Sequence, residues 1–448
     1  MTAIQNIKFS CFVFVLSIHL GCDSSENIQP TENQSVEVEE VLTIGGTKNE
    51  SAQSVVNTPD GGYAVLGYTQ SMDGDISNKT DTSFDYWLVK FDASGQQQWQ
   101  KVYGGSDDDR GEDLITTNDG GYAILGSSKS NDGDVLNNSG NNDFWVAKLD
   151  ASGTIIWEKS FGYVGADSAF SIIQTQDNGF LLSGVLDVSA SDGAGNNRMN
   201  MERHAGGDYW VIKIDAMGGL QWSRYFGGTF TDTAYDSVQT QDGNFLIMGS
   251  SDSDDVDINN NKGTYDFWVV KLNNTGTLLW EKSFGGTEID EARAITITAD
   301  GNFLIAGDSR SNNIDLSTNS GAADVWIIKI NSDGDLLWEK TFGGSSFDGV
   351  KAIHKTQDNE FLVAGNSRSS DGNLTENNGQ NDAWVFKINA QGNIKWQTSV
   401  GGSNVDLLMG ITELNSGSII AVGNTNSSDI DISENKGFSD VLIIKAKQ

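Results

Sequence analysis

The chain has 448 residues, among them 52 glycines, twelve tryptophans and only two prolines. Acidic residues (62) outnumber lysine plus arginine (28), so the formal net charge is −34 at pH 7. Such a surface repels phosphate backbones, which argues against nucleic acid as a partner. Abundant glycine between short apolar runs predicts many strands and tight turns rather than helices.

The first 22 residues differ from the rest. A short apolar run at 9–20 (FSCFVFVLSIHL) follows Lys8 and leads into Leu20-Gly21-Cys22. This run is too short to span a bilayer comfortably. The segment resembles the signal of bacterial lipoproteins, in which the cysteine after a small residue is acylated, although His19 departs from that pattern. We expect residues 1–22 to be such a signal ending at a lipidated Cys22; an ordinary cleaved signal peptide is the alternative.

Cysteine usage agrees with export. The only cysteines are Cys11 and Cys22, so the rest of the chain contains no disulfide, thiol nucleophile or cysteine metal site. Residues 23–37 (DSSENIQPTENQSVE) are polar and have no apolar period. They are predicted to form a flexible tether.

One unit recurs from residue 38 to the end. It is marked by a Gly-Gly step that begins at Gly45, Gly104, Gly227, Gly285, Gly343 and Gly401, with Gly162-Tyr163 as the variant third copy. The copies are 58 residues apart, except for spacings of 59 and 65 around the early ones. This period is typical of a propeller or another repeat array.

The fifth unit shows the parts of the repeat. Segments 292–298, 302–307, 324–331 and 335–342 predict strands A, B, C and D. Asx-Gly turns join A to B and C to D, and a long polar loop joins B to C. Four such strands form an antiparallel meander, which is one propeller blade.

The two ends of the repeat array predict a closed ring. The seventh unit stops at Gln448 without a strand D, and segment 38–44 (VEEVLTI) precedes the first unit as an unassigned strand. Pairing the two removes an exposed sheet edge. The sequence therefore predicts an all-β, seven-bladed β-propeller over 38–448, with four-stranded blades and an N-terminal strand completing the last blade.

The tryptophans occupy two positions of the repeat. They are Trp87, Trp145, Trp210, Trp268, Trp326 and Trp384 in strand C, and Trp99, Trp157, Trp222, Trp280, Trp338 and Trp396 in strand D. Exposed aromatic rings could bind sugars. A residue needed once per blade more often packs between blades, and we favour packing.

Segment 268–284 (WVVKLNNTGTLLWEKSF) resembles the repeat of quinoprotein-type propellers. The whole unit resembles the repetitive β-propeller lipoproteins of Gram-negative bacteria, some of which carry lectin-like or glycan-hydrolase labels. The resemblance implies a propeller fold and export. It does not imply quinone chemistry, because nothing in this sequence matches the metal and quinone pocket of those eight-bladed enzymes.

The long B–C loops and the Gly-Gly loops should emerge on the same face of the propeller, which we call the loop face. Two acidic positions recur there, one after the Gly-Gly step and one just before strand C. For most of them we favour a role in accepting hydrogen bonds from loop N–H groups.

Three B–C loops suggest a cation site. Their carboxylates stand at relative positions 1, 3 and 12: Asp132, Asp134 and Asp143; Asp255, Asp257 and Asp266; Asp429, Asp431 and Asp440. Oxygen ligands at this spacing suit Ca²⁺, and polar turns without metal are the alternative. No other cofactor is expected.

The third B–C loop is seven residues longer than its neighbours and contains Arg198, Arg203 and His204. These three residues are candidate ligand contacts, and a tolerated surface insertion is the alternative. No catalytic residue can be assigned, since seven-fold repeated acids are poor candidates for a singular catalytic pair.

These observations together predict a lipid-anchored, monomeric binding module of the cell envelope, at the outer membrane or cell surface. Its expected partner is a glycan or an envelope protein. A glycan hydrolase, endoglucanase-like and using carboxylates of the loop face, is the first alternative. An envelope-assembly scaffold is the second, by fold-level analogy alone.

Overall fold

A computed structural model describes residues 35–195 and 204–448. Seven four-stranded antiparallel sheets follow one another along the chain. The predicted signal segment, Cys22 and most of the tether lie outside the described residues, as do Arg198 and Arg203. None of the described helices is long and apolar enough to cross a membrane.

Six blades are built from consecutive strands, numbered in chain order. Blade 1 contains β2 (Glu50–Asn57), β3 (Tyr63–Thr69), β4 (Asp85–Phe91) and β5 (Gln97–Tyr103); blade 2 contains β6 (Asp109–Thr116), β7 (Tyr122–Ser128), β8 (Asp143–Leu149) and β9 (Ile155–Phe161); blade 3 contains β10 (Ser168–Gln174), β11 (Phe180–Asp187), β12 (Gly207–Ile214) and β13 (Leu220–Phe226). Blade 4 contains β14 (Asp232–Gln239), β15 (Phe245–Ser251), β16 (Asp266–Leu272) and β17 (Leu278–Phe284); blade 5 contains β18 (Asp290–Ile297), β19 (Phe303–Ser309), β20 (Asp324–Ile330) and β21 (Leu336–Phe342); blade 6 contains β22 (Asp348–Lys355), β23 (Phe361–Ser367), β24 (Asp382–Ile388) and β25 (Ile394–Val400). A single short helix among the described residues, α1 (Val188–Ser191), lies in the B–C loop of blade 3.

Blade 7 joins the two ends of the propeller. Its strands are β26 (Asp406–Glu413), β27 (Ser418–Thr425), β28 (Asp440–Lys447) and, outermost, β1 (Glu37–Ile44). Val41 pairs with Ile444 and Ile44 pairs with Val441, in antiparallel register. The predicted closure of the ring by the N-terminal strand is confirmed, and β1 begins one residue earlier than predicted.

The core lies between neighbouring blades. Strand-C tryptophans are at most 2% exposed and pack against the next or preceding sheet. Tyr86 of blade 1, for example, lies 4.8 Å from the Trp145 ring of blade 2 and donates a hydrogen bond to its carbonyl. The packing role predicted for these tryptophans is confirmed.

Strand-D tryptophans dock onto the following blade. The indole Nε1 of Trp157 donates to the Ala216 carbonyl at 3.2 Å, and that of Trp222 donates to the Asn274 carbonyl at 3.1 Å. A glycine of the same C–D turn lies against each indole, because a side chain there would collide with the ring. These rings therefore hold blades together at the outer rim.

Candidate binding site in the central channel

The first strand of each blade carries a one-residue bulge. In each of these strands the pairing register with the second strand skips one residue, the fourth of the strand (the third in β10), so that residue has no partner in the ladder. In a regular strand, successive side chains alternate between the two faces of the sheet, and a bulge turns one side chain away from that pattern. The skipped residues, which we call the channel belt, are Gln53, Glu112, Phe170, Tyr235, Arg293, Lys351 and Met409.

Contacts between belt residues place them in the central channel. The first strands of successive blades contact one another around the ring, so they are the innermost strands. The rings of Phe170 and Tyr235 are 5.3 Å apart, and the Arg293 guanidinium lies 4.4 Å from the Tyr235 ring centre. The charge of Lys351 in blade 6 acts on Glu112 in blade 2, across the ring. All seven side chains are half-buried, as expected for residues lining a narrow channel.

Burial perturbs the two oppositely charged groups that face each other across the belt. It raises the pKa of Glu112 to about 8, although the nearby Arg110 opposes this shift. Burial and the positive charge of Arg293 together lower the pKa of Lys351 to about 8. At neutral pH Glu112 is therefore mostly a neutral acid, while Lys351 keeps most of its charge.

Further charged groups lie next to the belt on the loop-face side. Glu291 forms an ion pair with Arg293 at 3.1 Å, and burial raises the pKa of the neighbouring Asp308 to about 6. In blade 2 the Arg110 guanidinium lies 4.2 Å from the centre of the Phe84 ring. The loop-face end of the channel thus combines charged and aromatic groups.

A cavity of about 300 Å³ opens between blades 2 and 3. It is lined by Asp108, Arg110, Glu112, Ser127, Lys129, Asn142, Ser168 and Phe170. Two of these residues, Glu112 and Phe170, belong to the channel belt. The volume is at the lower end of the range typical of small-ligand pockets.

The first two carboxylates of each predicted calcium loop accept hydrogen bonds from the Gly-Gly loop. Gly104 N–H donates to Asp134 at 3.3 Å and Ser106 N–H donates to Asp132 at 2.8 Å. Asp257 and Asp255 accept equivalent bonds in blade 4, as do Asp431 and Asp429 in blade 7. Where Asn313 and Asn373 replace these acids, the amide oxygen accepts the same bond. In these loops the first two carboxylates therefore accept backbone hydrogen bonds from the Gly-Gly loop.

The third carboxylate of each loop lies at the Gly-Gly step of the next blade. One oxygen of Asp143 accepts from Ser139 N–H at 2.5 Å, whereas its Oδ1 is buried without a hydrogen-bond partner. Among the residues that the structure describes, the equivalent Oδ1 atoms also have no hydrogen-bond partner: Asp85, Asp208, Asp266, Asp324, Asp382 and Asp440. In blade 4, a Cβ placed on Gly285 would lie 2.3 Å from Asp266 Oδ1 and 2.8 Å from Asp290 Oδ2.

The three carboxylates of each predicted calcium loop lie at two different Gly-Gly steps. Within residues 35–195 and 204–448 no cluster of three or more His, Cys, Asp or Glu side chains has the arrangement of a metal site. Asp132 and Asp134 lie with Gly104, whereas Asp143 lies with Gly162. Calcium binding by these residues stays a prediction.

His204 occupies a position that lysine takes in two other blades. Its Nδ1 lies 2.5 Å from Asp208 Oδ2, and its Nε2 lies 3.9 Å from Asp257 of the next blade. Lys436, four residues before Asp440, likewise reaches Asp75 of the next blade at 2.6 Å. The structure therefore gives His204 a blade-joining role; ligand contact by His204, Arg198 and Arg203 stays a prediction.

Sequence reasoning missed the channel belt. A bulge leaves no mark in a pattern of apolar and polar residues, so the skipped residue of strand A looked like any other strand position. A signal was nevertheless present. In a repeat whose structural positions barely vary, this position holds seven different residue types in seven copies.

No family model matches the chain. The chain is 24% identical over 410 residues to the regulatory protein FlaEY of Caulobacter vibrioides, which covers 81% of this chain and 41% of that protein. The chain thus spans about two fifths of the length of this curated relative.

Several solved structures resemble the chain at low sequence identity. The WD40 domain of Neurospora crassa Pan2 matches with a TM-score of 0.49 and 10% identity, over 91% of this chain and 96% of that one. The β-propeller domain of the Trilobed protease from Pyrococcus furiosus matches with a TM-score of 0.43 and 10% identity, over 92% and 96%. An ancestral GH74 enzyme matches with a TM-score of 0.45 and 12% identity, over 87% of this chain and 46% of that one. The sheet topology described above is the basis for identifying the chain as a seven-bladed β-propeller.

Proposed function

We propose that the chain is an exported, lipid-anchored binding module that holds a glycan in the loop-face mouth of its central channel. The observation that carries this proposal is the channel belt. Positions that hold the blades together repeat around the ring, whereas the belt presents seven different side chains. Residues that vary on a fixed scaffold are typical of binding sites.

The chemistry of the belt and its cavity favours a glycan. Glycans combine hydroxyl groups with apolar ring faces. The belt offers Gln53 and Glu112 for hydrogen bonds and the Phe170 ring for apolar contact, and the adjoining cavity of about 300 Å³ adds Ser127, Asn142 and Ser168. A concave site with a few polar groups suits a small ligand or one end of a chain better than a flat protein surface.

The strand that follows the predicted tether enters the propeller at the tight-turn face. β1 enters at Glu37, which pairs with Lys447 at the tight-turn face, and runs towards Gly45 on the loop face. An anchor preceding β1 would therefore attach to the tight-turn face. Lipidation of Cys22 would hold the chain at the cell envelope through the predicted tether.

A hydrolase is the second candidate, and one observation favours it. Burial raises the pKa of Glu112 to about 8, which keeps a proton available for general-acid catalysis at neutral pH. Glycoside hydrolysis also needs a second carboxylate, and Glu291 and Asp308 lie near the same channel. A binding module needs no such pair, so we place binding first; a protein partner of the envelope is the remaining alternative.

A glycan array probed with the purified chain tests the proposal. We expect binding to a restricted set of glycans, and loss of binding in a Glu112→Gln, Phe170→Ala double variant. Leu279→Ala, which changes an outer-strand residue that is 49% exposed, is the control and should bind like the unaltered chain. Release of reducing ends from bound glycans by the unaltered chain would favour the hydrolase.

Two outcomes would contradict the proposal. One is the absence of binding to any glycan together with capture of an envelope protein. The other is glycan binding that the double variant retains in full. Lipidation is checked separately, by incorporation of labelled fatty acid into the unaltered chain and its loss in Cys22→Ser.

A further inference from the structure

We propose that the channel belt recognises a carboxylate on its ligand, so that the preferred ligand is a glycan ending in one acidic sugar, with Lys351 and Arg293 as the residues that bind the acid group. This inference rests on the proposed glycan-binding function and names its ligand class. It is carried by the ion-pair and hydrogen-bond contacts of two neighbouring channel residues, Lys351 and Arg293.

Lys351 has no ion-pair or hydrogen-bond partner within the part of the chain that the structure describes. This contrasts with the buried lysines of strand C. Lys271 donates to the Ser332 carbonyl at 2.8 Å, and the other five each meet an aspartate of the A–B turn. Those pairs are Lys90 with Asp60 at 2.9 Å, Lys148 with Asp119 at 2.9 Å, Lys213 with Asp177 at 3.0 Å, Lys329 with Asp300 at 2.7 Å and Lys387 with Asp358 at 2.7 Å. In a chain with 62 acidic residues, an unpaired lysine inside the channel is available for an external anion.

Arg293 stands beside Lys351, one blade away. Glu291 holds one end of its guanidinium at 3.1 Å, and the Tyr235 ring supports its face at 4.4 Å. Its Nε is buried and has no hydrogen-bond partner among residues 35–195 and 204–448. Arg293 is therefore fixed in place while one of its donors stays unused, which suits recognition of an oxygen atom of a ligand.

The acid opposite these cations does not cancel their charge at neutral pH. Burial raises the pKa of Glu112 to about 8, so its proton is largely retained. A protonated Glu112 can donate to a sugar oxygen and accept from a hydroxyl. Glu112 therefore leaves the charge of Lys351 in place, while Glu291 and Asp308 of blade 5 offset part of the positive charge of Arg293 and Lys351.

The surface charge limits how many acid groups the ligand carries. A net charge of −34 repels a polyanion long before it reaches the channel. A single terminal carboxylate can enter, because the belt cations act at short range where the medium is less polar than water. The expected ligand is therefore one acidic sugar at the end of an otherwise neutral chain.

Isothermal titration with matched sugar pairs tests this inference. The probes are glucuronate against glucose and galacturonate against galactose, with the methyl ester of glucuronate as an uncharged isostere. We expect one acidic sugar to bind roughly tenfold or more tightly than its neutral parent and its ester. Lys351→Met should abolish this preference, and Lys351→Arg should retain it.

The control is Lys101→Met, which removes an exposed lysine on outer strand β5 and should leave both affinities unchanged. Equal binding of acidic and neutral sugars by the unaltered chain would overturn this inference and leave the proposed function standing. A preference that survives Lys351→Met would overturn it as well. If these sugars and the array glycans all fail to bind, both the inference and the proposed function are wrong.

Discussion

The carboxylate of Asp113 in blade 2 accepts a hydrogen bond from the hydroxyl of Ser54 in blade 1 at 3.0 Å. Its other oxygen accepts from Ile172 N–H of blade 3 at 2.9 Å. One side chain thus joins three blades around the channel. Asp236 repeats the arrangement two blades later, with Ser171 at 3.0 Å and Ile295 N–H at 3.0 Å.

Replacing this clamp should destabilise the ring. Asp113→Ala leaves the Ile172 N–H without its acceptor, and we expect the free energy of unfolding to fall by about 1–3 kcal/mol. Ser54→Ala should cost less, about 1 kcal/mol, since it removes one neutral donor. Urea unfolding measures both, and a double-mutant cycle should show coupling between Ser54 and Asp113. Additive losses of unfolding free energy in the two single variants would contradict the clamp. The control is Asp333→Ala, which changes an exposed turn residue.

The buried acids predict that the propeller is more stable at pH 5 than at pH 8. Burial raises the pKa of Asp113 to about 7, of Asp236 to about 6 and of Asp266 to about 7. Because these values exceed the unfolded value of about 3.9, the folded state holds the protons more tightly. Their contribution to stability is complete below about pH 4 and is lost as the pH rises through 6–7. Melting temperatures at constant ionic strength should fall across this range.

Other groups set the acid limit of this behaviour. The Thr117 hydrogen bond and the Lys148 ammonium lower the pKa of Asp119 to about 2, so its contribution is lost as the pH falls from about 4 towards 2. Burial lowers the pKa of His354 to about 4, so this residue reduces the stability of the fold as the pH falls from 6.5 to 4. The acids with raised pKa values increase stability over the same range, and they outnumber this single histidine. Stability should peak between about pH 4 and 6. A melting temperature that rises from pH 5 to pH 8 would contradict this account.

The Gly-Gly step should tolerate no side chain at its first position. In Gly285→Ala the new methyl group would lie 2.3 Å from Asp266 Oδ1, so the carboxylate or the loop must move. We expect a loss of about 1–3 kcal/mol in the free energy of unfolding. Adding Asp266→Ala should recover part of that loss, and a double-mutant cycle would measure it. No coupling between the two sites would show that crowding is not the cause.

Ring closure predicts a further effect. Deleting Glu37–Ile44 exposes the edge of β28, and we expect the melting temperature to fall by roughly 10 °C or more. The exposed edge should also cause concentration-dependent association, detectable by sedimentation. A synthetic peptide with the sequence EVEEVLTI should reverse both changes by filling the vacant position. An unchanged melting temperature with a monomeric variant would contradict the closure.

The architecture could be predicted from the sequence because the features that build it repeat. The Gly-Gly step and the paired tryptophans recur from unit to unit, and the last unit stops without a strand D; each of these features has one simple structural cause. The B–C loop acids were harder to interpret. Asp132 and Asp134 have oxygen atoms suited to a cation, yet the structure shows them accepting backbone hydrogen bonds, a use that spacing alone cannot distinguish.

The site could not be predicted because it depends on register. A one-residue bulge turns Glu112 and Lys351 towards the channel and brings residues far apart in sequence within electrostatic reach of each other. His204 stood out in the sequence as part of a charged insertion. The structure shows that His204 and Lys436 occupy the same ion-pair position at a junction between blades. The sequence does not reveal this position, because it depends on how neighbouring blades meet.

Hydroxyl-radical footprinting with a glycan selected on the array tests most directly whether the channel belt is the binding site. The account predicts slower oxidation of Phe170, Tyr235 and Met409 when the glycan is present. It predicts no change at Trp280 and Trp338, which lie in outer strands. Protection of those tryptophans without protection of the belt residues would contradict the account and move the binding site to the outer rim.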